Sequence, residues 1–339
     1  MSRMGIISSG YMAPTGGGEN IAVAGSSTPS INVYSWSSGF GNKYANPSPL
    51  IVGNGYSTAF SPLGNSIALS GSMAPNILVY PWSAGFGTRY ANPTILPGGT
   101  TAYYTTFSPS GNTITAASSS TPCIQAYPWS DGFGTKYADP FALPSGVASC
   151  TTFSPSEDTI VVGSRNTPYI QAYPWSAGFG TKYANPTTLP NGSGLSIAFS
   201  PSGSDIAVPS TNTPFIQVYT WSAGFGTKYA NPTTLPGLTG RSVAFSPSGT
   251  DIAITSANTP FIQVYPWSAG FGTKYANPTT PPNSGGNFTV FSPSGDTITV
   301  AITGTPFIQA YPWSNGFGTK YANPATLPTG SGLGIAFSP

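Results

Sequence analysis

Seven tryptophans at near-constant spacing constrain this chain more tightly than any other feature. They are Trp36, Trp82, Trp129, Trp175, Trp221, Trp267 and Trp313; five of the six steps between them are 46 residues and the other is 47. Each opens the same string, W-S-x-G-F-G-x-[KR]-Y-A-[ND]-P, in a chain of 339 residues that contains no other tryptophan. A period of this length with so little drift makes one supersecondary unit the building block, and such units bury a continuous core only by stacking on their neighbours. The expectation is one closed array over residues 16–339 preceded by an arm at 1–15, not two ordinary domains.

The copy around Trp221 shows what the unit is. Leu195 to Phe199 is a short β-prone run ending on the turn Ser200-Pro201-Ser202-Gly203, and Asp205 to Val208 follows as a second strand. After a loop closed by Pro214, Phe215 to Trp221 places Ile216 and Val218 on one face and Gln217, Tyr219 and Trp221 on the other. Large apolar groups on both faces put this third strand between neighbours. After a glycine-rich reversal, Thr227 to Ala230 leads into a fourth strand that Asn231-Pro232 interrupts before Leu235-Pro236 and so marks as an edge. Four short antiparallel strands repeated seven times predict an all-β, seven-bladed β-propeller, within the usual range of about four to eight blades.

Composition narrows the function classes. Charged residues are 5% of the chain, there is no histidine, and the net charge is +2, which leaves no basic face for nucleic acid or an anionic membrane. No apolar run is long enough to insert in a bilayer. Aromatics, at 13%, recur at five positions per repeat and supply the core that a glycine- and proline-rich chain otherwise lacks. Cys123 and Cys150 fall at different repeat positions and read as free thiols, with a disulfide the other possibility. Without histidine or a close set of cysteines and carboxylates, metal hydrolysis and histidine-assisted nucleophilic catalysis lack raw material. The chain is thus expected to be no enzyme and to need no cofactor.

Ala198-Phe199-Ser200-Pro201-Ser202-Gly203 followed by Phe215-Ile216-Gln217-Val218-Tyr219 resembles the WD-repeat propeller family over nearly the whole chain. Two departures stand out. Tyr219 occupies that family's tryptophan position with Thr220 or a proline after it, and with no histidine the family's Asp-His network is missing. The longer string from Tyr173 to Pro190 resembles repeat proteins of tailed bacteriophages. That resemblance implies a non-enzymatic virion structural protein, made in the host cytoplasm, that decorates the head or forms part of the tail or fibre. Its partners would be other virion proteins and a host surface glycan or receptor. A lectin-like propeller and a cytoplasmic protein scaffold are the alternatives.

Phe60, Phe107, Phe153, Phe199, Phe245, Phe291 and Phe337 end the first strand of each unit, the last almost at the C-terminus. A clasp follows, in which the C-terminal strand completes the blade begun by residues 20–50; the competing arrangement takes an inner strand from the degraded copy at Tyr11 to Gly16. Positions that differ between copies are the candidate binding residues: Tyr56, Tyr103, Tyr104, Arg165, Arg241, Asn287 and Phe288, on the face of the second-to-third and fourth-to-first strand loops. Opposite them, Lys43, Arg89, Lys136, Lys182, Lys228, Lys274 and Lys320 form one basic group per blade, facing acids at the first turn such as Asp158, Asp205, Asp251 and Asp296. These charges read either as solvated groups or as a docking ring.

Overall fold

The computed structural model describes residues 19–339 and is all-β, with no helix among the described residues. Seven antiparallel sheets follow one another along the chain. In each, the inner strand runs into the Ser-Pro turn, the second and third strands pair behind it, and the string after tryptophan forms the outer edge. The expected arm at 1–15 and the degraded copy at Tyr11 to Gly16 lie outside the described residues. The sheet that joins the termini has the order Gly332–Phe337, Glu19–Gly25, Ile31–Trp36, Phe40–Lys43. Its inner strand is the C-terminal one: Phe337 lies opposite Ile21 and Ile335 opposite Val23, and the Ser338 N–H donates to Asn20 O at 2.8 Å.

Packing explains why the aromatic positions agree. Every tryptophan is boxed by three rings standing edge-on to it, the geometry that the ring quadrupole favours. Trp267, for example, meets Tyr229 at 5.0 Å, Phe245 at 5.7 Å and Phe271 at 5.1 Å. Tyr229 comes from the preceding repeat, so each box ties two blades together. The box around Trp36 draws Tyr321 and Phe337 from the other end of the chain, at 5.4 and 5.6 Å.

The fourth strand is regular in two sheets only, at Phe40–Lys43 and Phe225–Lys228. Elsewhere a single Trp–Phe bridge remains, as between Trp267 and Phe271. The cause is one residue. Pairing of Tyr219 with Lys228 requires the N–H of residue 220 as donor, and the two regular sheets have Thr220 and Ser35 there. Pro81, Pro128, Pro174, Pro266 and Pro312 occupy the same place in the other five and have no N–H to give.

Two acids at the first turn are not solvated. Asp205 and Asp251, 6% and 3% exposed, begin their second strands inside the ring. Asp205 accepts the Tyr229 hydroxyl at 2.7 Å and the Trp267 ring N–H at 3.5 Å; Asp251 does the same for Tyr275 at 2.9 Å and Trp313 at 3.4 Å. A carboxylate thus joins adjacent blades through a tyrosine and a tryptophan, where the WD-repeat pattern would use histidine.

Candidate functional site

The inner strands carry an irregularity that positions the variable residues. Four residues before the phenylalanine the ladder slips by one in every sheet but that of Phe199, leaving a bulge residue without a partner: Tyr56, Tyr103, Ser149, Arg241 and Asn287 all stand there, as does Leu333. A bulge turns its side chain out of the pleat and stops pairing locally. Here it sets one side chain from each of six blades at the same level of the ring. Glycine often precedes the bulge because the backbone is crowded; a Cβ at Gly286 would lie 2.5 Å from Phe261 O.

Around that level of the ring the side chains join into two arcs. On one, the Tyr56 and Tyr103 rings are 5.5 Å apart, and the guanidinium of Arg165 lies 4.5 Å over the Tyr103 ring with its Nε 3.4 Å from Ser149 Oγ. On the other, Arg241 Nη1 donates to Asn287 Oδ1 at 2.5 Å, and Asn287 Nδ2 donates to Gly332 O at 2.7 Å, linking three consecutive blades. Burial pushes the Arg241 guanidinium down from its ordinary pKa, without threatening its charge at neutral pH. Neither arginine has a carboxylate partner; among the described residues the one ion pair joins Lys136 to Asp139.

Tyr104 and Phe288 stand one place further along their strands and point into the lumen instead. The other residues at that position are Ser57, Cys150, Ser196, Ser242 and Gly334, all small. Two large rings fill the space the small residues leave, and although they come from well-separated blades their centroids are 6.1 Å apart. Tyr104 also packs on the clusters holding Cys150 and Ile197, and burial raises its hydroxyl pKa. Cys150 is buried and free, its thiol pushed up to about 12 by burial; Cys123 is likewise buried and free.

The lysine ring is tied to its own turns. Lys182 Nζ donates to Tyr183 O at 3.1 Å and Asn185 Oδ1 at 2.8 Å; Lys228, Lys274 and Lys320 repeat both bonds, and Lys43 and Lys136 make the same contacts, Lys136 with Asp139 in place of asparagine. All seven basic groups, Arg89 included, are half-buried. Sequence reasoning placed the seven variable residues near one face; what it missed is the bulge and the inward turn of Tyr104 and Phe288. The glycine before the bulge in Gly240-Arg241 and Gly286-Asn287 was the available signal.

No protein-family profile and no curated protein sequence matches this chain. Solved structures do. A protein of Bacteroides uniformis assigned provisionally as a 6-phosphogluconolactonase aligns with a TM-score of 0.72 and 13% identity, over 94% of this chain and 99% of its own. The periplasmic gluconolactonase of Pseudomonas aeruginosa gives 0.69 and 13%, over 95% and 99%. A β-propeller domain from Myceliophteria thermophila, of the WD-repeat kind, gives 0.64 and 11%, over 84% and 90%. At such identities the likeness establishes the propeller fold. It also runs against the expectation of a non-enzymatic bacteriophage virion part, because several of the structures that match nearly end to end carry lactonase names. That expectation rested on the lack of nucleophiles and metal ligands. A lactone is an activated ester, and charge stabilisation at its carbonyl oxygen is catalysis without either.

Proposed function

We propose that the arginine-bearing mouth binds sugar-acid lactones and promotes their opening by polarising the carbonyl. The observation that carries this reading is the pair of guanidinium groups, Arg165 and Arg241, held by neutral partners and left without a carboxylate. The lactonase names of the similar structures support the substrate class. In the reaction water adds to the carbonyl carbon and its proton is lost to solvent. The resulting oxyanion sits against Arg241, the ring C–O bond breaks, and the leaving alkoxide takes a proton from water to give the hydroxy acid. Asn287 fixes the Arg241 head group, and Arg165 over Tyr103 adds positive potential at the opposite arc.

None of the bulge residues is a general base, so the rate should rise in proportion to hydroxide between about pH 6 and 8, with no inflection from a carboxylate or imidazole. The test is pH-stat hydrolysis of glucono-δ-lactone and its 6-phosphate, corrected for the spontaneous reaction. Arg241→Ala should lose about a hundredfold of the acceleration, the scale of one oxyanion donor. No acceleration by the native protein over the spontaneous rate, together with no binding of gluconate or 6-phosphogluconate, would refute the proposal.

A further inference from the structure

Beyond the Tyr104–Phe288 pair, on the side away from the arginines, the lumen holds a cavity of about 180 Å³ that extends to Pro62 and Pro293 at the first turns. Its wall is the residue just before each strand-ending phenylalanine, and no charged side chain lines it. Seven equivalent positions would make a symmetric tube, but the copies differ. Thr106 and Thr152 stand on neighbouring blades, while Ala198, Ala244, Val290, Ala336 and Ala59 make the rest of the wall.

The polar side is underused. Thr106 Oγ1 and Thr152 Oγ1 reach only the next carbonyl of their own strands, at 3.2 and 3.4 Å, and the Tyr104 hydroxyl makes no hydrogen bond to the described residues. Threonines of the neighbouring register differ: Thr105 and Thr289 bond backbone carbonyls behind them at 2.8 Å and are satisfied. One arc of the cavity thus offers three hydroxyls with spare capacity, the other arc is mainly aliphatic with Ser196, Thr289 and Ser338 among its residues, and the end is aromatic. The volume suits a single six-membered ring, since a cavity of about 150 Å³ in another protein accepts benzene. A charged ligand would lose its hydration with nothing to replace it.

We propose that this cavity binds a small uncharged ring compound bearing one hydrogen-bonding oxygen, a phenol or cyclic alcohol, seated on the Tyr104 and Phe288 rings with its oxygen among the hydroxyls of Tyr104, Thr106 and Thr152. The site is independent of the arginine mouth and of any lactonase activity.

Phenol, cyclohexanol, benzoate and benzamide are the probes, titrated into the intact protein by calorimetry and by ligand-observed NMR. Phenol and cyclohexanol should bind saturably, and benzoate, two heavy atoms larger and charged, at least tenfold more weakly, with neutral benzamide, which matches benzoate in size, binding more tightly than benzoate. Ala244→Leu, which fills the aliphatic wall, should abolish phenol binding; Thr152→Val, which keeps the shape and removes a hydroxyl, should weaken it several-fold and leave thermal stability unchanged. No saturable phenol binding overturns the proposal. So does benzoate binding as strong as phenol. Phenol binding untouched by both variants puts the probe elsewhere and overturns it too; should Ala244→Leu fail to fold, Thr152→Val and the benzoate comparison decide.

Discussion

Replacing Asp205 by alanine tests whether buried carboxylates hold this ring together. The change removes the acceptor for the Tyr229 hydroxyl at 2.7 Å, the Trp267 ring N–H at 3.5 Å and the Ser204 hydroxyl at 2.9 Å. Hydrogen bonds to a charged group contribute about 1.5–3 kcal/mol each at good geometry. The tyrosine bond is short and counts in full, the tryptophan bond is long and counts for little, and Ser204 is exposed and rehydrates. The expected cost is about 3 kcal/mol, a fall in melting temperature of about 6 °C at roughly 2 °C per kcal/mol for a large domain. Asp205→Thr installs the residue found at the equivalent positions 113, 159 and 297, and should cost about half as much because a hydroxyl still accepts one bond. Denaturant unfolding of Asp205→Ala, Tyr229→Phe and the double variant gives the coupling directly, expected at about 1–2 kcal/mol. A coupling near zero, with Asp205→Ala as stable as a surface substitution, would refute the reasoning.

Three further outcomes are expected. Removing residues 334–339 takes away Ile335, one wall of the Trp36 box and four ladder pairs, and should lower stability by several kcal/mol, whereas removing residues 1–9 should leave the melting temperature unchanged; the reverse ranking would contradict the clasp. Stability should be level from about pH 5 to 8, as there is no histidine, and should fall above about pH 10. The sign follows because Tyr229 and Tyr275 are pushed up to about 12, by burial first and then by Asp205 and Asp251, so the unfolded chain releases those protons earlier; unfolding free energy measured against pH checks it. Pro266→Thr should extend the fourth strand of its sheet. The bond gained, about 0.5–1.5 kcal/mol, roughly cancels the lost rigidity of proline, about 0.4–1 kcal/mol, so the readout is slowed amide exchange at residue 266 with nearly constant stability.

Most of the scaffold was legible because each blade is dictated by residues that every copy repeats. The two-residue alternation of Phe215 to Trp221 fixed which strand lies inside, and the agreed rings are those that box each tryptophan. For the candidate residues, the sequence could not show geometry. A bulge changes which side chains share a face, and strict alternation cannot show where the ladder slips, so Arg241 and Asn287 were placed on a face without the bulges they stand on. Tyr104 and Phe288 meet only because five other blades are small at that height, a fact about the ring and not about any one repeat. The burial of Asp205 likewise depends on a tryptophan 62 residues away.

The prolines before five of the tryptophans also bear on how these molecules behave in a crowd. With only 18 ionisable acidic and basic side chains in 339 residues, one molecule repels another feebly, and an exposed sheet edge would ordinarily recruit a strand from its neighbour. Each proline deletes a donor from the rim where such recruitment would begin, so the ladder open to intermolecular pairing is confined to the short strands Phe40–Lys43 and Phe225–Lys228. Colloidal stability then rests on missing hydrogen-bond donors and not on repulsion, and it should be nearly indifferent to salt, while a variant with all five prolines replaced should self-associate at every ionic strength.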